Sequence, residues 1–149
     1  MEKKRNVPET KYHRAMDLIC KLLQIMVILS ILLSWSGIPD KVPMHYGAGG
    51  TVDAYASKYF VFFCPVVTFL MNRFLRFLER RPEFWNIPVS MDRQNRDRIY
   101  MATKSLIVSL RVIVVALFSY IGLRIARGKP LGTWFLPVIL VATFGLILV

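Results

Sequence analysis

Apolar residues fall in four long runs along this chain, not at the one-face spacing of a soluble amphipathic helix. The first run, Leu18 to Trp35, is 18 residues long with one charge, Lys21, near its start. The second is the weakest: Tyr59 to Asn72 is uncharged, and it extends to Leu78 if Arg73 and Arg76 snorkel to the headgroups. Pro65 sits inside it and predicts a kink or a freed carbonyl. The third, Ser105 to Leu123, is interrupted by Arg111, and the fourth, Leu131 to Val149, carries no charge. As helices the first, third and fourth would each be ~27–29 Å long, close to the thickness of a bilayer's hydrocarbon core. The pattern predicts an all-α integral membrane protein, a four-transmembrane-helix bundle forming one domain over 1–149. Its spans are expected at about 18–35, 59–78, 105–123 and 131–149, with an outer loop over 36–58 and a second loop over 79–104. The basic start, apolar run and Ser34-Trp35-Ser36 also fit a signal peptide, but the run is long for one and three more follow, so a retained first helix is expected.

Charge decides the orientation. The net charge of +11 would suggest nucleic acid in a soluble protein, but here Lys and Arg cluster just outside apolar runs. Direct nucleic-acid binding is therefore not expected. Fourteen basic residues lie in the N-terminal segment and second loop, against five in the first and third loops. The positive-inside bias then puts the N-terminus, the second loop and the C-terminus in the cytoplasm. Trp35, Tyr59, Tyr120 and Trp134 stand near outer span ends, where amphipathic rings prefer to lie. Cys20 and Cys64 would sit at depths that differ by ~15–20 Å, too far for the ~7 Å Cα separation of a disulfide. With two histidines and no zinc spacing, neither a metal nor another cofactor is expected.

The outer loop is the most distinctive segment. Val42 to Tyr46 alternates in character, Gly47, Gly49 and Gly50 permit positive φ, and Thr51 to Tyr55 can pair back. These features predict a short hairpin or a compact loop, stiffened at its entry by Pro39 and Pro43. A rigid Gly/Pro/aromatic loop at a membrane surface makes a recognition element. His45 and Asp53 invite a metal or proton-relay reading but are too few for a metal site; the plainer expectation bonds His45 to loop backbone and has Asp53 cap the chain or pair with Lys58. In the second loop, Pro82, Asn86 and Pro88 break the chain, and Ser90 with Asp92 suits the start of a polar helix over Met91 to Lys104. This basic cytoplasmic loop is either a headgroup-facing linker or a docking surface.

Arg111 lies seven residues past Lys104, ~10 Å into the third span. Intramembrane charges usually face the bundle interior and find partners. Asp17, Lys21, Gln24 and Ile28 share one face of the first span, Thr68 and Asn72 a face of the second, and Ser105 and Ser109 are near Arg111 in height. A polar cluster of Asp17, Lys21, Gln24, Asn72, Ser109 and Arg111 is one expectation, with Asp17 or Gln24 as the partner of Arg111. The alternative is that Arg111 only snorkels to the inner headgroups. The chain has no Ser/His/Asp arrangement, phosphate-binding loop or HExxH motif, so an enzyme is not expected.

Two linked motifs carry a resemblance. Pro39, Asp40, Lys41, Val42, Pro43, His45 and Tyr46, followed by Gly50, Asp53, Ser57 and Lys58, match one signature. Pro82, Asn86, Pro88 and Asn95 match a second. Together, over about Leu18 to Leu123, they resemble a bacterial membrane-protein family classed as a domain of unknown function, related to the N-terminal part of SdpI-like immunity proteins. That resemblance implies a bacterial plasma-membrane protein in toxin immunity or membrane signalling. The functional expectation is an immunity or sensor protein whose partners are the lipid bilayer, an extracellular peptide at the outer loop and a soluble cytoplasmic regulator protein. The alternative is a small transporter or channel subunit, acting as a homo-oligomer with the Arg111 cluster on a solute path.

Overall fold

The computed structural model describes residues 7–87, 89–90 and 92–147. Helix α1 spans Lys11–Leu33, α2 Phe63–Glu79, α3 Arg96–Ala126 and α4 Phe135–Ile147. A two-stranded antiparallel hairpin, β1 (Lys41–Tyr46) and β2 (Val52–Ser57), stands between α1 and α2. Three helical stretches, Lys11–Leu33, Lys58–Glu79 and Arg96–Ala126, are long and apolar enough to cross a membrane. Over its 13 residues, α4 is ~20 Å long, short of a bilayer core.

Local chemistry explains where these boundaries differ from the apolar runs. The start of α1 lies well before Leu18 because Thr10 and His13 form a reciprocal cap. The Thr10 hydroxyl accepts from the His13 backbone N–H, and the Thr10 N–H donates to His13 Nδ1 at 3.2 Å. Pro65 does not kink α2. The chain runs as a 3-10 helix over Lys58–Phe62 and changes to α winding at Phe63, so the ring falls in the first α turn, where Pro is tolerated. In the second loop, the Asp92 carboxylate accepts from the Gln94 and Asn95 N–H groups, a local turn that holds off helix formation until Arg96. The helix expected from Met91 thus starts later, with Asn95 and not Ser90 at its cap position; Met91 itself lies outside the described residues. At the fourth run, Leu131 to Trp134 is not helical. The Leu131 N–H donates to the Gly50 carbonyl at 2.8 Å, and Gly132 takes φ +94°.

In the packing, α3 lies along both α1 and α2, whereas α1 and α2 touch each other little. One stripe of α3 is buried: Lys104, Val108, Arg111, Val115, Ser119 and Gly122, at steps of three and four. At Gly122 the three helices come close together; a Cβ there would stand 3.2 Å from the Cys64 Cβ and 3.4 Å from Val27 Cγ1. The reverse faces of α1 and α2 expose Leu22, Ile25, Leu29, Leu32, Val66, Phe69, Leu70 and Phe74. A surface this apolar over two long helices belongs in lipid, not in water.

The apolar core lies at the hairpin end. Val27, Ile31, Ile38, Val42, Val61, Cys64 and Ile125 form one buried cluster, with Trp35, Tyr46, Phe60 and Phe118 packed on it. The hairpin is therefore seated on the bundle. Its register runs from Lys41 opposite Ser57 to Tyr46 opposite Val52, with irregularities on both sides of His45. The chain reverses through Gly47 to Thr51, closed by the Gly47 N–H to the Thr51 carbonyl and the Gly50 N–H to the Gly47 carbonyl. Gly50 has φ +75° and is buried against the α3–α4 connection; a Cβ there would fall 2.5 Å from the Gly132 carbonyl oxygen.

Candidate functional site

Opposite the hairpin, at the end where α1 and α3 begin and α2 finishes, the helices bring ionised side chains together inside the bundle. Arg111 is fully buried. Its Nη1 donates to Asp17 Oδ1 at 3.0 Å and to Asn72 Oδ1 at 3.4 Å, so one guanidinium bridges all three helices. Its Nη2 lies 3.4 Å from Glu79 Oε2, and Glu79 is only 1% exposed. Asp17 is shared further, with Lys21 at 2.9 Å on its own helix and with Arg76 of α2. Arg76 also lies 3.7 Å from Glu9. The Asn72 amide donates to Gln24 Oε1 at 2.8 Å, extending the network toward mid-bundle. Removing such charges from water is costly, and the low-dielectric bundle holds them only as a mutually compensating set.

Asp17, Lys21, Gln24, Asn72 and Arg111 therefore lie in one connected network. Ser109 does not join it. Its hydroxyl donates to the Ser105 carbonyl at 2.8 Å and bonds the Tyr12 hydroxyl at 2.7 Å, on another face of α3. Two members of the network, Glu79 and Arg76, and two neighbours at this end, Lys104 and His13, are not among the cluster residues expected from the sequence. Arg76, expected to snorkel to the headgroups, and Glu79, for which the sequence reading has no role, continue Asn72 at i+4 and i+7 on one face of α2, a spacing that points to them. Lys104 is 3% exposed, and its ammonium donates to the carbonyls of Val7 at 2.7 Å and Pro8 at 3.4 Å. His13 Nε2 lies 3.1 Å from the Ser105 hydroxyl. Glu79, Glu9, Lys104 and Arg80 line a cavity of about 400 Å³ at this end. Neither Glu79 oxygen has a hydrogen-bond partner among the described residues.

The hairpin presents the other candidate surface. His45 Nδ1 and Asp53 Oδ1 are 2.7 Å apart, so Asp53 pairs across the strands with His45 and not with Lys58. Both are exposed, at 69% and 49% of their side chains. Lys58 instead lies 4.5 Å over the Trp35 ring, a cation–π contact. Met44 and Tyr55 are exposed beside the pair. Pro43 is buried under the hairpin, Pro39 and Asp40 are exposed at its entry, and the Asp40 carbonyl accepts from the Lys58 N–H. Ser57 closes the strand pairing opposite Lys41. The Tyr46 hydroxyl donates to the Lys129 carbonyl at 3.3 Å, and burial pushes its phenol up to about 12.

In the second loop, Pro82 opens a 3-10 turn over Pro82–Phe84, and Trp85 Nε1 donates to the Leu78 carbonyl at 2.7 Å. Asn95 braces the turn before α3, accepting from the Asp92 N–H and donating to the Ser90 carbonyl. Asn86 is exposed beside an apolar groove lined by Ile87, Val89 and Leu106. Pro88 lies outside the described residues. Among those residues no group of three His, Cys, Asp or Glu is placed to hold a metal ion.

No curated protein and no solved structure matches this chain. A family model does match, over residues 22–69. The matched stretch holds the second half of α1, the whole hairpin and the first turns of α2, so it takes in the outer motif and Gln24 but stops before Asn72. Over residues 22–69 the chain is thus similar to the domain of unknown function DUF1648.

Proposed function

We propose that this is a non-enzymatic, multi-pass protein of a bacterial plasma membrane whose hairpin recognises an extracellular peptide, in an immunity or sensing role of the SdpI-like kind. The observation that carries this reading is the seating of the hairpin. Its inner face is built into the bundle core through Val42 and Pro43, and its tip is bonded to the α3–α4 connection through Gly50 and Leu131. Its outer face leaves Met44, His45, Asp53 and Tyr55 free to meet a partner. A surface pre-organised in this way binds without an ordering cost. The basic excess at the opposite end supports a cytoplasmic placement of the N-terminus and the 79–104 loop, where a soluble regulator would dock. The test combines topology and tolerance. In a C20A/C64A background, a membrane-impermeant thiol reagent on intact cells should label A48C and spare S90C. Cells expressing the protein should lose tolerance to a protected-against antimicrobial peptide when Tyr55 and His45 are replaced by Ala. Labelling of S90C alone would reverse the orientation and remove the extracellular-peptide reading.

The buried network favours a second reading, a small transporter or channel subunit acting as a homo-oligomer. Intramembrane charges on three helices commonly mark solute or proton paths. Flux in vesicles that vanishes with Arg111→Met and survives Tyr55→Ala would select this reading over the first.

A further inference from the structure

Because α1 and α2 pack on α3 more than on each other, a partly open cavity of about 240 Å³ remains between them. It is lined by Ser119 of α3, Lys21, Gln24, Val27 and Ile28 of α1, and Pro65 and Phe69 of α2. Two polar groups here are spare. Ser119 is 3% exposed and its hydroxyl has no hydrogen-bond partner among the described residues. The buried Gln24 Nε2 has none either, although Gln24 Oε1 is held by Asn72. Thr68, also in the lining, already donates to the Cys64 carbonyl. The helix faces flanking the cavity expose Ile25, Leu29, Val66 and Phe69, so its surroundings are acyl chains. Hydrocarbon offers these donors no acceptor.

The occupant that fits is an acceptor head on an apolar tail. We propose that this cleft binds a free fatty acid. The acid's carboxyl group accepts from Gln24 Nε2 and the Ser119 hydroxyl, on the side of the Lys21 ammonium, and its chain leaves between α1 and α2. The space is that of about eight water molecules, which takes a carboxyl group and a few methylenes but not a phosphoglycerol headgroup. Lys21 keeps 63% of its side chain exposed while paired with Asp17, so its charge remains available to an anionic head. This site is independent of the hairpin and of the peptide-recognition reading.

The test uses the full chain in phosphatidylcholine vesicles, with palmitic acid carrying a diazirine on its chain as the probe. After irradiation, adducts should concentrate on Gln24 to Ile28 and Pro65 to Phe69 and be displaced by unlabelled palmitate. Ser119→Ala removes only an unpaired hydroxyl and leaves the fold intact, and Gln24→Glu keeps an oxygen for Asn72 while replacing the donor. Each should lower cleft labelling about five-fold, the worth of one lost hydrogen bond. Ser119→Ala decides alone if Gln24→Glu elutes as misfolded protein. The proposal is overturned if labelling spreads evenly onto the exposed face of α4, or is unchanged by Ser119→Ala. It is equally overturned if a diazirine phosphatidylcholine labels the cleft and palmitate does not compete, which would make the occupant an ester lipid.

Discussion

The two ends of this bundle are held by opposite means. At the hairpin end, Val27, Ile31, Val42, Val61 and Ile125 pack into an apolar cluster, capped by a backbone hydrogen bond between two loops. At the other end, Arg111, Asp17, Glu79, Arg76 and Asn72 are buried as charged and amide groups that compensate one another. The first arrangement is tolerant, since each apolar contact is weak and replaceable. The second is a unit, because the loss of one member leaves the others charged and unpaired in a low-dielectric interior. The two ends should therefore respond differently to single substitutions, and that difference can be measured.

The largest effect is expected from Arg111→Met. It leaves Asp17 short of a partner and Glu79 without one of its counter-charges, at a cost of about 3–5 kcal/mol measured by thermal unfolding in detergent. Adding Glu79→Gln should recover part of that loss; if the double variant is as unstable as the sum of the singles, the two residues are not coupled. Next comes Gly50→Val. A β-branched residue at φ +75°, with its Cβ driven into the Gly132 carbonyl, should cost about 2–3 kcal/mol. Hydrogen exchange at the Leu131 amide should then speed up, since Gly50 supplies its acceptor. Unchanged exchange would mean that the two loops are not held together by this contact.

Tyr46 supplies a smaller effect with a defined pH dependence. Its phenol titrates at about 12 in the fold, against 10.0 when unperturbed. Between those values the unfolded chain gives up the proton and the folded chain keeps it. Stability should thus be unaffected below pH 10 and should fall as pH rises from 10 to 12. Tyr46→Phe should cost about 1 kcal/mol at neutral pH, through the lost bond to the Lys129 carbonyl, and should flatten the alkaline decline. The smallest effect belongs to the exposed His45–Asp53 pair, where Asp53→Asn should change stability by less than about 1 kcal/mol. A larger loss there would show that the pair supports the hairpin and does not merely decorate its outer face.

The apolar runs near Leu18, Tyr59 and Ser105 were legible because hydrocarbon demands length, and charge inside such a stretch is costly and rare. The Gly-rich turn was legible because few residues tolerate positive φ. Arg111 stood out for the same electrostatic reason. Its pairing with Glu79 was not legible. The helical period says which residues of α2 share a face, but not how far α2 is rotated about its axis or slid along α3. Whether Glu79 meets headgroups or Arg111 depends on both. The start of α1 was not marked and that of α3 was expected five residues early for a related reason, since the Thr10–His13 cap and the Asp92 turn lie in polar sequence where apolar periodicity gives no signal.

What the sequence determined by itself is the solvent for which this chain is built: long apolar helices, one stiff loop and a basic bias to one end. Those follow from composition and one-dimensional spacing, because burial in lipid is a property of each segment alone. What only the tertiary structure decided is which polar side chains meet. Asp17, Asn72, Glu79 and Arg111 lie on three helices, up to 94 positions apart in the chain, and the close approach of those helices at Gly122 helps to set their mutual depth. Electrostatic pairing at a few ångströms is sensitive to that depth and rotation, whereas the entry of an apolar run into a bilayer is not.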